Sequence, residues 1–243
     1  GDFDRETQAF GLATTGGTNY DTGIGGLTLG GGMGWLGGKH GMALDNLISV
    51  DIVTADGQLR IASATENPDL FWAVRGGGGN FGVVTSFEYR LYPVGPLLAG
   101  LVAYPLDKAQ EVLRFYDEFA SAAPDELNTA SALATLQDGT PVVGMVVCYN
   151  GPIEEGEKVI RPLREFGQPL LTHIGPMPYL QVQHLADAFT PEGHQYYEKS
   201  HFMTDIRDGA INTLVEYYRK TSSPGNLLFF QQQGNAANRV PRD

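Results

Sequence analysis

A chain of 243 residues, 42% hydrophobic and 18% charged, is long enough to bury a core and has the composition of an ordinary soluble globular protein. Its formal net charge of −12 excludes the basic face that nucleic acid or an anionic membrane would require. No run of about 20 apolar residues is present to span a bilayer, and the single cysteine, Cys148, rules out an internal disulfide or a cysteine metal cluster.

The chain opens on GDFDRETQAF, without a methionine or a signal-peptide pattern, and stops at NRVPRD. It reads as an internal piece of something longer, soluble and cytoplasmic rather than secreted. The stretch Thr22–Gly41 (TGIGGLTLGGGMGWLGGKHG) then mixes glycine with Ile24, Leu27, Leu29, Met33, Trp35 and Leu36. A flexible linker has nothing to bury, so this is no linker. Two readings stand: a run of tight turns within a sheet, or a backbone surface that lets a flat or charged ligand approach the main chain.

Further along, Leu47–Thr54 and Gln58–Ser63 flank Ala55-Asp56-Gly57, which predicts a hairpin. Asn67-Pro68-Asp69 predicts a helix start with Asn67 as N-cap, and Gly76 to Gly79 end that helix. Val83–Leu91 alternates, with Val83, Thr85, Phe87, Tyr89 and Leu91 expected on one face of a half-buried strand. Beyond Pro93–Pro96 glycine thins out. There Leu97–Tyr104 reads as a strand and Leu106–Ala120 as a helix carrying Val112, Leu113, Tyr116 and Phe119 at helical spacing. Leu127–Leu136 and Pro141–Tyr149 read as a strand pair turning at Asp138-Gly139, and Ile153–Phe166 as a helix. Tyr196–Phe202 is strand-like, Asp205–Tyr218 helical and Leu227–Gln232 a last strand. The pattern predicts an α+β fold with an antiparallel sheet covered by helices.

Several motifs fail on inspection. Gly32–Gly37 matches G-x-G-x-x-G, but Gly38 and Gly41 spoil the helix that should follow, and Asp56 lies in the hairpin turn. Gly38-Lys39 is followed by His40, so no P-loop is formed, and neither H-E-x-x-H nor G-x-S-x-G occurs. The five histidines, His40, His173, His184, His194 and His201, are scattered, and no metal site is expected. Cys148, inside the apolar run VVGMVVCYN, reads as a buried inert thiol. What remains is two glycine-rich segments, Gly23–Gly34 and Gly76–Gly82, joined by strands. Brought together, they would cradle an extended, flat, anionic molecule such as FAD. In so acidic a chain, backbone N–H groups would do much of the holding.

GGLTLGGGMGWLGGKHGMALDNLISVDIVTADGQ and ENPDLFWAVRGGGGNFGVVTSFEYRLYPVG closely resemble the berberine-bridge-enzyme-like FAD-linked oxidases of the vanillyl-alcohol-oxidase superfamily. The likeness is specific over Gly1–Gly95 and looser beyond, where HQYYEKSHFM resembles a substrate-domain strand. It implies the second half of a PCMH-type FAD-binding domain at residues 1–95 and part of a substrate domain with an antiparallel sheet at 96–243. It also implies an FAD-dependent oxidase of an alcohol, sugar or related small molecule, with electrons passing to O₂. A non-catalytic flavin- or ligand-binding remnant is the alternative.

Carried over by motif, Thr22, Gly23, Gly25 and Gly26 would face the flavin or its diphosphate, with Ile24 between them. Gly30, Gly31 and Gly32 would be close-approach glycines, Asp45 and Asn46 match a D-N pair, and Gly82, Val83 and Val84 would line the adenine end. Tyr197 and Lys199, on one face of the Tyr196–Phe202 strand, could contact substrate or form a solvated face. Three departures stand out: the R-x-G-G-H segment that carries a covalent histidine is absent, the position of the second covalent anchor, a cysteine in some members, falls near Asn19 where there is no cysteine, and the N-Y-x-N-like segment that often supplies the catalytic base is missing. No catalytic residue is assigned.

Overall fold

The computed structural model describes residues 1–191 and 193–240, and the chain divides into two compact units. The first comprises Gly1–Leu97, Pro178–His184 and residues 233–240; the second comprises Leu98–Met177 and residues 185–191 and 193–232.

The first unit opens with helix α1 (Asp2–Gln8) and a two-residue strand β1 (Leu12–Ala13). The glycine-rich stretch is not a string of turns. Ile24–Leu29 forms helix α2 and Gly37–His40 a single helical turn, α3, which stops at Gly41 with φ +76°. The hairpin forms as expected from β2 (Leu47–Val53) and β3 (Leu59–Ser63), paired antiparallel with Asp51 opposite Ile61. Asp56 ties its turn by accepting from Thr54 Oγ1 at 2.6 Å, the Gln58 N–H at 3.2 Å and Arg60 Nη2 at 2.7 Å.

Helix α4 (Pro68–Val74) begins where the Asn-Pro-Asp signal puts it. Asn67, however, does not cap it with its side chain. Its backbone is left-handed (φ 46°), and its Nδ2 donates instead to the Ile61 carbonyl at 2.7 Å. Strand β4 (Val83–Tyr89) pairs with the other edge of β2, giving the order β3-β2-β4. Here the expected alternation fails. A register shift between Asp51 and Ile52 pairs Ile52 with Val84 and Asp51 with Ser86, so Thr85 is an extra residue. The bulge puts Val84, Phe87 and Tyr89 against the core of Leu47, Val50, Ile52, Ala62, Phe71 and Val74, and leaves Val83 70% exposed. Strand β5 (Tyr92–Pro93) then pairs with β1.

The second unit holds a five-stranded sheet, in the order β10 (Leu228–Gln231), β7 (Leu127–Thr135), β8 (Pro141–Tyr149), β6 (Leu97–Pro105) and β9 (Leu171–Met177). Strand β6 (Leu97–Pro105) leads into helix α5 (Ala109–Ser121), whose Ala109, Val112, Leu113, Tyr116 and Ala120 are buried at three- and four-residue spacing. Strands β7 (Leu127–Thr135) and β8 (Pro141–Tyr149) form the expected pair, and β8 pairs antiparallel with β6 as well. The Ile153–Phe166 segment is two helices rather than one, α6 (Ile153–Val159) and α7 (Arg161–Glu165). Pro162 has no N–H to carry the helix through. Strand β9 (Leu171–Met177), which no alternation announced, forms the edge beside β6. Gly100 is required there: at φ +143° it meets the His173 carbonyl where any side chain would overlap it.

The short helix α8 (Tyr179–Val182) belongs to the first unit. Back in the second, Tyr196–Phe202 has no strand. Alternation alone does not hold a strand without a ladder partner, and Tyr197 and Phe202 are 86% and 82% exposed. Helix α9 (Asp208–Arg219) starts three residues later than expected and packs Ile211, Val215 and Tyr218 into the core around Leu113, Leu133 and Val143. Strand β10 (Leu228–Gln231) closes the sheet against β7. Truncating a side chain as enclosed as Leu113 would cost about 2–5 kcal/mol. Among the described residues no helix is long and apolar enough to cross a membrane.

Candidate cofactor-binding site

The candidate site is built on α2. Its first turn leaves the N–H groups of Ile24, Gly25 and Gly26 without acceptors inside the helix, the first internal bond running from the Leu27 N–H to the Gly23 carbonyl at 3.1 Å. The helix has two unlike faces. Gly25, Thr28 and Leu29, at helical spacing, turn inward: a Cβ on Gly25 would lie 3.3 Å from the Phe87 ring, Thr28 is fully buried, and Leu29 packs on the β2–β4 core. Gly23, Gly26 and Gly30 turn outward and are exposed, and a Cβ on Gly23 or Gly26 would meet nothing within 4 Å. The exposed Thr22 precedes this bare face.

The second glycine segment does come to the first. The Gly76 N–H donates to the Leu29 carbonyl at 3.0 Å, joining the end of α4 to the end of α2. Gly78 and Gly79 have open space around them, as Gly23 and Gly26 do.

The remaining positions carried over by motif are engaged with the protein. Gly31 and Gly32 (φ +122° and +89°) are close-approach glycines, but what approaches is the chain itself: the N–H groups of Leu44 and Ala43 donate to their carbonyls at 3.0 and 2.8 Å. Asp45 Oδ2 accepts the Met42 N–H at 2.7 Å, and burial raises its carboxyl above the usual range against the opposing pull of that bond and of Arg75. Asn46 is fully used, donating to the carbonyls of His40 and Met42 at 2.9 and 2.8 Å and accepting from the Tyr92 hydroxyl at 2.9 Å. Gly82 (φ +147°) admits the Val53 carbonyl, and the half-buried Val84 packs against the core.

Tyr197 and Lys199 do not share the face of a strand, because no strand forms there. Lys199 Nζ sits 5.8 Å from the centroid of the Tyr197 ring, and both residues are exposed. The residues that sequence reasoning missed are Thr28 and Tyr89. Thr28 Oγ1 donates to the Ile24 carbonyl at 2.8 Å and lies 2.7 Å from the Tyr89 hydroxyl. No motif spacing announces that pair, since its members are 61 positions apart. Among the described residues no group of His, Cys, Asp and Glu could hold a metal ion. Cys148 is fully buried, and burial pushes its thiol up to about 12.

An FAD binding domain family model matches residues 1–63, which hold α1, α2, α3 and the β2–β3 hairpin. An FAD-linked oxidoreductase of Dictyostelium discoideum is 36% identical over 223 residues, 90% of this chain and 48% of the relative. Among solved structures, 6-hydroxy-D-nicotine oxidase from Arthrobacter nicotinovorans aligns with a TM-score of 0.70 at 32% identity, over 79% of this chain and 43% of the other. Carbohydrate oxidase from Microdochium nivale aligns with a TM-score of 0.74 at 25% identity, over 96% of this chain and 53% of the other. Residues 1–63 thus match a domain that binds FAD, and the chain is similar to FAD-linked oxidoreductases, a berberine-bridge-enzyme-like protein of Arabidopsis thaliana among the solved structures. The chain spans about half the length of the relatives it matches.

Proposed function

We propose that this chain forms part of an FAD-dependent oxidase that oxidises an alcohol, sugar or related small molecule and passes the electrons to O₂. The observation that carries the reading is the bare outer face of α2: Gly23, Gly26 and Gly30 are exposed, and three first-turn N–H groups have no internal acceptor. FAD fits such a surface. It presents an anionic diphosphate, for which an acidic chain must use backbone donors, and flat rings that need a backbone free of side chains. Thr22, Gly23, Gly25, Gly26 and Gly30 would hold it. Gly31, Gly32, Asp45, Asn46 and Gly82 would keep the supporting backbone in shape, and Val84 would fill the core beneath.

Bound FAD supplies a two-electron acceptor. For an alcohol the balance is one substrate and one O₂ giving one carbonyl product and one hydrogen peroxide. The carbohydrate oxidase likeness favours a hydroxylated substrate. The nicotine oxidase likeness places a cyclic amine on the same test panel. Flavin absorbance bands in the purified protein, followed by peroxide release with sugars, simple alcohols and a nicotine-like amine, test the reading. Bands without turnover of any panel member would favour a flavin-binding remnant, and no bands after FAD is supplied would refute the reading.

A further inference from the structure

We propose that Thr28 and Tyr89 are positioning residues for FAD, the hydrogen bond between their hydroxyls fixing which face of α2 is presented to the cofactor. The proposal rests on the cofactor reading above. Helix α2 is six residues long and contains two glycines, so it has little intrinsic stability and must be held by tertiary contacts. The contact that fixes its rotation is polar. Thr28 has a single hydroxyl proton, and it goes to the Ile24 carbonyl at 2.8 Å. The 2.7 Å contact therefore has Tyr89 as donor and Thr28 Oγ1 as acceptor.

Tyr89 is itself held in place. Phe3 meets its ring edge-on at 5.4 Å, and Phe87 stacks beside it at 6.0 Å while lying under Gly25. A shift of one residue turns a helix by about 100°. Such a turn would bury Gly26 and carry a leucine or isoleucine side chain to the outer face, covering the backbone that FAD approaches. Packing against Phe87 tolerates some rotation. A directed bond between two hydroxyls does not, because it fails once its geometry departs from a narrow range. The pair therefore acts on the cofactor through α2, without touching it: Thr28 is fully buried.

Tyr89→Phe removes one hydroxyl, keeps the ring, and leaves Thr28 still bonded to Ile24, so the variant should fold. Its effect is read by amide hydrogen exchange and by FAD titration followed by fluorescence. The α2 amides from Leu27 to Gly30 should exchange roughly three- to tenfold faster, the span of one buried hydrogen bond. The FAD Kd should rise by a similar factor while exchange in β2 stays unchanged. Thr28→Val should do the same, and Thr28→Ser, which keeps the acceptor, should restore both readouts. Unchanged α2 exchange in Tyr89→Phe overturns the proposal, as does faster exchange with an unaltered Kd. Equal loosening of α2 and β2 would also overturn it, marking a merely structural bond. If the unsubstituted protein binds no FAD, the cofactor reading itself fails. The exchange measurement, made without FAD, still decides whether the pair holds α2.

Discussion

His40 lies flat on Tyr92, ring centroids 3.9 Å apart and planes 13° from parallel, and Asn46 closes the arrangement by accepting from the Tyr92 hydroxyl while donating to the His40 carbonyl. Burial, with a smaller contribution from Lys39, pulls the His40 imidazole down to about 4. A histidine depressed in the folded state binds its proton more readily when unfolded. Stability is therefore complete above the unfolded value of about 6.5 and is lost as pH falls towards 4. His40→Phe keeps the stack and removes the titration. The Tm of the variant relative to the parent should rise between pH 6.5 and 4, by the equivalent of about 1 kcal/mol after screening. A Tm difference that is flat across that window would refute the assignment.

Asn46 carries three hydrogen bonds that no other side chain can copy. Asn46→Ala removes all three bonds at once, at an expected cost of about 2–4 kcal/mol. Urea unfolding measures this. A midpoint within error of the parent would mean that water replaces the amide without loss.

The glycines divide by what surrounds them, and substitution should separate them. Gly26→Ala meets open space in a helix and should stabilise the apoprotein by about 0.5–1 kcal/mol while weakening FAD binding. Gly34→Ala drives a methyl group into the Gly16 carbonyl and should destabilise by about 3 kcal/mol or more. Gly25→Val acts differently from either, through Phe87, and should cost stability and flavin together. Thermal scans with and without FAD distinguish the three. Equal FAD affinity in Gly26→Ala and the parent would remove the outer face of α2 from the site.

Cys148 sits in β8 opposite Ala99 and Asn128, fully buried, with its thiol pushed up to about 12. A thiol reagent at pH 8 should label it only after unfolding, and no flavin adduct should be found on its peptides. Rapid labelling of the folded protein would show that the sheet opens locally.

Much of this protein was legible in its sequence. The hairpin at Asp56-Gly57, the start of α4, the β7–β8 pair and the buried stripe of α5 follow from local chemistry: turn residues, a proline in the first helical turn and spacing act over a few positions. The glycine-rich resemblance pointed to FAD for the same reason, since bare backbone is written directly in residue type. Tertiary structure decided the rest. Thr85 is a bulge only through the register in which β4 meets β2. The Tyr196–Phe202 alternation makes no strand because a strand needs a partner that its own residues do not specify. Gly23 and Gly26 stand open while Gly31 and Gly32 admit Ala43 and Leu44, and no difference in residue type separates the two pairs. That division, like the bond between Thr28 and Tyr89, depends on which distant segment arrives at each glycine, and only folding brings it there.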